Sequence, residues 1–417
     1  MSKTGSSEME NLKVGIVGGS IAGCAAAVEL SRAGFDVTLF ERSGNELKDR
    51  GAGIGVPPSV VETFISRDLV DHDIPYFRLD KMSRIWRSAD EPYHGYVAWD
   101  QPAQLGALNW GGLYNNLRVR VPDAIYRPNH NVVELQQTNP QQVEVILADG
   151  ATQKFDLVVC ADGYTSLGRS TLFPDVTVDY AGYVLWRGFI MEHEIDKPKP
   201  LDDGVRCLGY PGGHGIFYFV PGPDGSIEPG ERLVNWGMYI TIPGAEIADF
   251  LTDKQGITRT GSLSPGSMPM TTERSLKDQA RERIPDYYAD IVEKSPDTFV
   301  YSIYDCQVPA YRTGRICLSG DAGAFARPHS AAGALKGIND SVTLADALKS
   351  HSSVDEALTK WNSERTATNN GLVQFGNQLG LALVKQIPDW SKMNPVSMEE
   401  WFSGVVTIAT EYLPATQ

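Results

Sequence analysis

Hydrophobic residues along the chain fall into two patterns, and each predicts a different part of the fold. Apolar residues at helical spacing lead up to Gly34 and recur from Ala334 to Leu348, which predicts two helices. Each helix follows an apolar run of the kind that forms strands buried on both faces of a parallel sheet. Four such runs stand at residues 14–17, 36–40, 157–160 and 316–319.

The middle of the chain changes to short strands punctuated by glycine and proline. A run of short strands with such turns is typical of an antiparallel sheet. The predicted segments are strands at 184–186, 215–220 and 233–240, an alternating aromatic segment at 80–100, a hairpin of 132–135 with 143–147, a loop at 262–270 and a helix at 276–288.

These two patterns interleave, so the predicted fold class is α/β (α+β overall). A Rossmann-like nucleotide-binding lobe is interleaved with an antiparallel-sheet substrate lobe, and helices follow at the C-terminus. With 417 residues, the chain is long enough for two closely packed lobes. The nucleotide lobe is expected at 10–79, 101–179 and 300–370, the substrate lobe at 80–100 and 180–299, and the helical segment at 371–417.

A glycine-rich turn joins the first strand to the first helix. Gly18 permits the tight turn and Gly23 lets the helix pack closely on the sheet, so that free N–H groups face a pyrophosphate. Ser20 stands where the G-x-G-x-x-G pattern has its second glycine, and its hydroxyl is able to donate to a phosphate. The alternative is a strand–turn–helix unit that binds nothing. It is less well supported, because Glu41 ends the next strand.

Three acidic residues at strand ends indicate which nucleotide binds. Glu41 suits a free ribose 2′-hydroxyl and repels a 2′-phosphate, which favours FAD or NAD over NADP. Asp162 and Asp321 also follow buried strands, where an α/β sheet presents groups to a ligand crevice. Residues 330–333 then open a helix whose N-terminus is placed to face a flavin that becomes anionic on reduction. Together these signals favour FAD; helix capping is the structural alternative for the aspartates.

No second nucleotide-binding unit and no metal site are predicted. Residues 51–55 repeat the glycine pattern but run into Pro57 and Pro58, which are expected not to open a helix. A separate NAD(P)H domain is therefore not expected. The chain has neither H-E-x-x-H nor a Cys/His cluster, the usual signs of a metal centre.

Charge and cysteine content narrow the range of partners. A net charge of −15 and a pI near 5, with no long run of Lys and Arg, argue against nucleic acid or an anionic membrane. The five cysteines show no C-x-x-C spacing, and no apolar stretch reaches the roughly 18 residues of a membrane span. We expect a cytoplasmic protein that acts on small molecules; a homodimer stays open.

Five segments together resemble the group A flavoprotein aromatic hydroxylases, the superfamily of para-hydroxybenzoate hydroxylase. The resemblance covers most of residues 12–370 and is closest to the dihydroxypyridine hydroxylase subgroup, which shares the serine in the glycine turn. The segments that carry it are 18–23 (Gly-Gly-Ser-Ile-Ala-Gly), 50–54 (Arg-Gly-Ala-Gly-Ile), 113–118, 186–188 and 327–333.

The resemblance implies an FAD-dependent monooxygenase that uses NAD(P)H, docked transiently, and O₂. Through a flavin C4a-hydroperoxide, such an enzyme hydroxylates a small phenolic or hydroxypyridine ring. Decarboxylative hydroxylation of a hydroxybenzoate to a hydroquinone is the alternative within the family. The residues expected at FAD are Gly18, Ser20, Ile21, Ala22, Glu41, Arg42, Arg50, Gly53, Arg118, Asp162, Asp321, Ala332 and Gly333.

Hydroxylation of this kind needs a group that accepts a phenolic proton, and imidazole is matched to proton transfer near neutral pH. His329 is the first candidate because it directly precedes the helix expected at the flavin; a structural role is weighed equally. His214 and Tyr218 come next, with His214 better interpreted as a turn residue at the sheet edge. Two other functions stay open: an FAD dehydrogenase or reductase that never uses O₂, and a non-catalytic flavin-binding protein.

Overall fold

The computed structural model describes residues 9, 12–45, 47 and 53–410, with side chains given up to residue 408. In this part of the chain, strands form three sheets and helices pack around them. The strands are β1 (Lys13–Val17), β2 (Asp36–Phe40), β3 (Gly53–Val56), β4 (Phe77–Trp86), β5 (Tyr96–Asn109), β6 (Tyr126–Arg127), β7 (Val132–Asn139), β8 (Gln142–Leu147), β9 (Thr152–Phe155), β10 (Leu157–Cys160), β11 (Asp179–Met191), β12 (Gly204–Tyr210), β13 (Gly213–Val220), β14 (Leu233–Thr241), β15 (Ser262–Leu263), β16 (Phe299–Asp305), β17 (Arg312–Thr313) and β18 (Ile316–Leu318).

Helices follow the same interleaved order along the chain. The longest, α9, continues into one π-helical turn at Leu381–Lys385. The α-helices are α1 (Ile21–Arg32), α2 (Pro58–Ser66), α3 (Trp110–Val119), α4 (Leu167–Leu172), α5 (Ile247–Phe250), α6 (Met270–Arg283), α7 (Asp286–Lys294), α8 (Gly333–Ser350), α9 (Val354–Gly380) and α10 (Pro395–Thr410).

A six-stranded sheet of order β17-β18-β10-β1-β2-β6 forms the nucleotide side of the molecule. Its neighbouring strands from β18 to β6 all run parallel, as buried apolar runs require. The four predicted strands are confirmed, and their order places the ends of β18, β10, β1 and β2 side by side at one edge. In an open α/β sheet, this carboxyl edge is where ligands bind.

Helices α1 and α8 pack against each other beside this edge. A Cβ on Gly337 would lie 2.8 Å from the Cβ of Ala22, so only glycine allows this approach. A Cβ on Gly320, which has a φ of +60°, would lie 3.1 Å from the same Ala22 atom. The turn after β18 is therefore held against the first turn of α1, although about 300 residues of sequence separate them.

The second large sheet has nine strands in the order β15-β16-β11-β14-β13-β12-β4-β5-β3. Most pairs are antiparallel, as predicted, but β12 and β4 run parallel, so this sheet is mixed. Residues 132–139 and 142–147 form the expected hairpin, which β9 extends to a third small sheet. The predicted fold class is confirmed.

The two faces of the nine-stranded sheet have different environments. One face is covered by α6 and α7 and carries an aromatic core that includes Trp186, Phe217 and Trp236. Cross-strand pairing places Arg84, Cys207 and Ile216 in one row on the opposite face. We call this second surface the polar face; its members used below are Arg84, Arg187, Cys207, His214, Ile216, Tyr218, Asn235, Gly237 and Tyr239.

Proline marks two places where the structure differs from the expectation. Helix α2 begins at Pro58, with Pro57 as its N-cap, so the expectation that these prolines prevent a helix was wrong. The first residue of a helix needs no intrahelical N–H bond, and the fixed φ of proline suits it. The single helix expected at 276–288 is two helices, because the chain is extended at Ile284 and Pro285.

The expected boundaries of the two lobes stay a proposal, and the sheet to which each strand belongs can be compared with them. The strand at residues 96–109 lies in the nine-stranded sheet along its whole length, and so do β3 and β16. Strands of the nucleotide side lie between residues 13 and 40, at 126–127, and from 157 to 160 and 312 to 318. Within residues 9–410 as described, no helix is long and apolar enough to cross a membrane.

Candidate active site

The glycine turn after β1 has no room for any other residue at two positions. Gly18 has a φ of +100°, and a Cβ there would lie 2.4 Å from the carbonyl oxygen of Ala161. A Cβ on Gly23 would lie 1.8 Å from the carbonyl oxygen of Gly18. Ser20 is the N-cap of α1, yet its side chain makes no capping bond. Its half-buried hydroxyl and the first N–H groups of α1 thus face the crevice together, as a phosphate requires.

Glu41 is buried at the end of β2 and is held by the turn. One carboxylate oxygen accepts from Gly19 N at 2.7 Å, and the other accepts from Ser43 N at 2.7 Å. A carboxylate offers about four lone-pair positions, so each oxygen is able to accept one more donor. This geometry fits a ribose hydroxyl at the position that the sequence predicts.

The arginines predicted at the cofactor differ in their surroundings. Arg118 lies 4.0 Å above the ring of Tyr126 and donates to Asp123 at 2.8 Å. The hydroxyl of Tyr126 lies 2.9 Å from the position of a Cβ on Gly19, which places Arg118 beside the glycine turn. Arg42 follows Glu41 and is exposed. Arg50 lies outside the described residues.

Asp162 and Asp321 lie at the ends of β10 and β18, as predicted. Asp162 Oδ2 accepts from Leu167 N at 2.7 Å and so caps α4, while its buried Oδ1 has no hydrogen-bond partner among the described residues. Burial raises the pKa of this carboxyl group. The side chain of Asp321 is 52% exposed, with Oδ1 4.0 Å from Nζ of the buried Lys336. Both aspartates therefore keep acceptor atoms free for hydroxyl groups of a ligand.

The N-terminus of α8 is open. Ala332 is its N-cap without a side-chain bond, and a Cβ on Gly333 would meet no atom within 4 Å. The preceding Ala331 has a left-handed φ of 54°. Because α8 has 18 residues, its free N–H groups and dipole favour an anionic group in this space.

Gly53 connects the nucleotide side to the polar face. Its N–H donates to Asn235 Oδ1 at 3.0 Å, and a Cβ there would lie 2.9 Å from the hydroxyl of Tyr218. Arg187 Nη2 donates to the same oxygen at 3.0 Å. Asn235 Nδ2 and Arg187 Nε are buried without a partner among the described residues. Donors left free beside a backbone that admits only glycine are typical of a ligand site.

Two predicted histidines meet at the other end of the polar face. His214 Nε2 lies 3.2 Å from His329 Nδ1, and His329 Nε2 lies 3.0 Å from the hydroxyl of Tyr183. The ring of Tyr239 packs on both imidazoles, with centroids 4.6 Å from His214 and 4.1 Å from His329. Arg327 Nη1 donates to Tyr183 at 3.0 Å and pairs with Asp305.

Donor identity fixes the direction of this chain of hydrogen bonds. Arg327 has only donors, so the Tyr183 oxygen accepts from it. The arrangement that gives the Tyr183 hydrogen a partner has this hydroxyl donating to His329. His329 then donates from Nδ1 to His214 Nε2, and His214 Nδ1–H faces the Cys207 sulfur at 3.6 Å. Burial lowers the pKa of His214 to about 3, and the charge of Arg84 adds to this. Burial, then His214 and Arg327, also lower the pKa of His329. Both imidazoles are therefore neutral at neutral pH.

The interpretation of His214 as a turn residue at the sheet edge was wrong. His214 pairs with Gly209 between β12 and β13, inside the sheet, and is 4% exposed. Sequence reasoning also missed Asn235, Arg187 and Tyr183. Their alternation within β14 and β11 would have assigned them to a face, but which face meets the nucleotide side depends on sheet packing.

A low pKa of His214 predicts a specific loss of stability in acid. The unfolded imidazole has a pKa of 6.5 and the folded one about 3, so the stabilisation is complete above pH 6.5 and is lost as pH falls below it. Between about pH 7.5 and about pH 5.5 the loss is roughly 1.4 kcal/mol. Thermal melting at both pH values should show a smaller decrease in His214→Gln than in the parent. Equal decreases in the two proteins would contradict the assigned pKa.

The groups at the ends of β1, β2, β10 and β18, which we call the nucleotide cradle, lie at the ligand-binding edge of an α/β sheet, and the polar face adjoins them through Gly53. Such an arrangement is typical of a flavoprotein oxidoreductase. Three family models match: an NAD(P)-binding Rossmann-like domain at residues 16–45, an FAD binding domain-like model at 180–305 and an FAD binding domain at 260–376. The protein is an FAD-dependent monooxygenase, and FAD is its cofactor.

Individual relatives agree with this assignment over most of the chain. A 2,6-dihydroxypyridine 3-monooxygenase of Paenarthrobacter nicotinovorans is 28% identical over 85% of this chain and 87% of its own length. Salicylate hydroxylase of Pseudomonas putida is 26% identical over 80% and 76%. The solved structure of a 2,6-dihydroxypyridine-3-hydroxylase from Arthrobacter nicotinovorans superposes with a TM-score of 0.82 at 26% identity, covering 90% of this chain and 93% of that one.

Proposed function

We propose that this monooxygenase hydroxylates a small phenolic or hydroxypyridine ring, using NAD(P)H and O₂. The observation that carries the proposal is the neutral His214–His329 pair on a buried polar face directly beside the nucleotide cradle. The names of the relatives support the substrate class, since they act on 2,6-dihydroxypyridine, salicylate and 6-hydroxynicotinate. All of these substrates are small aromatic rings that carry a hydroxyl group.

We assign the strand-end residues to FAD. Ser20 and the first N–H groups of α1 would hold the pyrophosphate, and Glu41 would accept from the adenosine ribose. Asp321 and the free oxygen of Asp162 would accept from hydroxyl groups further along the cofactor, and the open N-terminus of α8 would face the flavin ring. When bound, FAD supplies the transfer of electrons from NAD(P)H to O₂ and the activation of the oxygen.

Residues of the polar face would orient the substrate ring and accept its proton. In the row of Arg84 and Cys207, Ile216 is half-buried, whereas the side chains of Leu185 and Arg187 fill the space over its partner Gly237. A ring bound over Ile216 would have His214 on one side and Tyr218 on the other, since the three residues alternate along β13. A ring hydroxyl could donate to His329 Nδ1 in place of the contact to His214, provided that the imidazole hydrogen moves to Nε2 and donates to the Tyr183 oxygen. This hydrogen bond would activate the ring. Exclusion of water from this face would limit the diversion of reduced cofactor to hydrogen peroxide.

Isotope incorporation tests the reaction type. FAD-loaded protein should oxidise NAD(P)H faster in the presence of its ring substrate and transfer one atom of ¹⁸O₂ to the product. A panel of hydroxypyridines and hydroxybenzoates separates the outcomes, since release of CO₂ from a hydroxybenzoate identifies the decarboxylative reaction. Substrate-dependent NAD(P)H oxidation without ¹⁸O in the product would indicate a reductase. Bound FAD without any nicotinamide turnover would indicate a flavin-binding protein.

The location of the protein also belongs to the proposal. All five cysteines are buried and unpaired, which suits a reducing compartment such as the cytoplasm. A homodimer stays a prediction, for which sedimentation of the FAD-loaded protein is the measurement.

A further inference from the structure

Arg84 is the most deeply buried guanidinium on the polar face, and its charge is not balanced. The residue is 1% exposed and forms no ion pair with any residue in the described part of the chain. Nη2 donates to Gln101 Oε1 at 3.1 Å and Nη1 to the Cys207 sulfur at 3.6 Å, while Nε has no partner among the described residues. Arginine is almost never fully buried without a counter-charge, because desolvation is costly.

Aromatic rings explain how the charge is tolerated. The guanidinium lies 3.9 Å from the ring centroid of Phe402, with Trp390 and Trp99 at 5.7 and 6.0 Å. Such rings attract a cation but do not neutralise it. The positive potential of Arg84 therefore extends past the rings to the other groups around it.

On the sheet side, that potential reaches the site assigned to the substrate. Cys207 Sγ contacts both Arg84 Nη1 and His214 Nδ1, each at 3.6 Å. Burial raises the pKa of the Cys207 thiol, so the thiol is neutral and does not serve as the counter-ion. His214 is neutral as well. Neither group between Arg84 and the proposed ring position therefore cancels the charge, and bulk salt does not screen it.

We propose that Arg84 is a specificity-determining residue whose charge makes the site bind its ring substrate as an anion. This inference rests on the proposed function, because it assumes that the ring lies over Ile216, beside His214. The ring would lie beyond the two contacts of 3.6 Å that link Arg84 through Cys207 to His214. At a separation on the order of 8 Å and an effective dielectric constant of about 20, one charge changes an ionisation equilibrium roughly 30-fold. Arg84 would thus complement the proton acceptor His329: the first stabilises the anion, and the second takes the proton.

The test measures which form of a phenol the holoenzyme binds. 4-Nitrophenol is the probe, since its neutral and anionic forms differ in absorbance, and it is titrated between pH 5 and pH 9 with FAD-loaded protein. We expect the parent to bind the anion more tightly than the neutral phenol, by about 10- to 30-fold. In Arg84→Met this preference should disappear, and the pKa of the bound probe should rise by about one unit. Arg84→Lys, which keeps the charge, should retain most of the preference.

The melting temperatures of the variants distinguish an effect of the Arg84 charge from an effect of altered packing. Replacing an unpaired buried charge with an apolar side chain of similar volume is often neutral or stabilising, so Arg84→Met is expected to fold and to hold FAD. Phe402→Leu, which removes the nearest ring, should lower the melting temperature and leave the preference for the anion. The proposal is overturned if the parent binds no anion or prefers the neutral form, or if both Arg84 variants keep the preference of the parent. An intact preference in a protein that incorporates no ¹⁸O would reject only the proposed function.

Discussion

Replacing Asp321 with alanine is expected to weaken FAD binding by roughly 10- to 150-fold. This factor corresponds to the loss of one hydrogen bond to a charged acceptor, about 1.5–3 kcal/mol. Asp321 stands at the end of β18, where its half-exposed carboxylate lies 4.0 Å from Lys336 Nζ. The measurement is the dissociation constant of FAD, from fluorescence quenching after the cofactor is removed and added back.

Two comparisons make this result specific. Asp321→Asn keeps an acceptor at the same position and should retain more FAD than Asp321→Ala. Asp80→Ala removes an exposed carboxylate of β4, 3.3 Å from Arg78, and should bind FAD as the parent does. Equal FAD affinity in Asp321→Ala and the parent would remove Asp321 from the cofactor site, whereas a protein that takes up no FAD in any form would contradict the family assignment.

Replacing His329 with alanine is expected to keep FAD and to lower substrate-stimulated turnover by about 100-fold or more. A positioned general base contributes about 10²- to 10⁴-fold, and no other group on the polar face both contacts His214 and adjoins the N-terminus of α8. A smaller share of the NAD(P)H consumed should yield hydroxylated product, and a larger share should yield hydrogen peroxide. The measurements are the NAD(P)H oxidation rate, product yield and peroxide yield at saturating substrate.

A histidine far from the site serves as the control. The side chain of His72 is 88% exposed, and His72→Ala should match the parent in rate and coupling. Tyr183→Phe removes the hydroxyl that donates to His329 and should give an intermediate loss, because the imidazole stays in place but loses the bond that orients it. If His329→Ala keeps the rate and coupling of the parent, the proton acceptor must be sought among His214 and Tyr218.

Local sequence patterns were sufficient to predict the strands, turns and helices on the nucleotide side of the molecule. A parallel strand, a tight turn and a helix are each determined within about 20 residues, so Gly18, Gly23 and Glu41 were found directly. Asp162 and Asp321 were found for the same reason, since each follows a buried strand. The expectation at Pro58 failed because the effect of proline depends on its position in a helix, and the first turn accepts it.

The polar face could not be predicted in the same way. His214, Asn235 and Arg187 alternate with apolar neighbours on separate strands, and alternation assigns residues to a face without showing what covers it. For His214, strand pairing decided burial, and the loop from residue 327 to residue 332 brought His329 within 3.2 Å across 115 positions of sequence. Nothing in the sequence distinguished Arg84 as a buried residue, because a single arginine in an aromatic strand is normally exposed.

By itself, the sequence determined the fold class and the FAD-dependent monooxygenase class, and it predicted the residues of the nucleotide cradle, because these depend on short segments whose backbone geometry permits few residues. Only the tertiary structure decided which side chains share the substrate face, that His214 and His329 are paired and neutral, and that Arg84 is buried without a counter-charge. These properties arise from contacts between strands distant in the chain. Desolvation and unbalanced charge are properties of the packed interior and are absent from any local stretch of sequence.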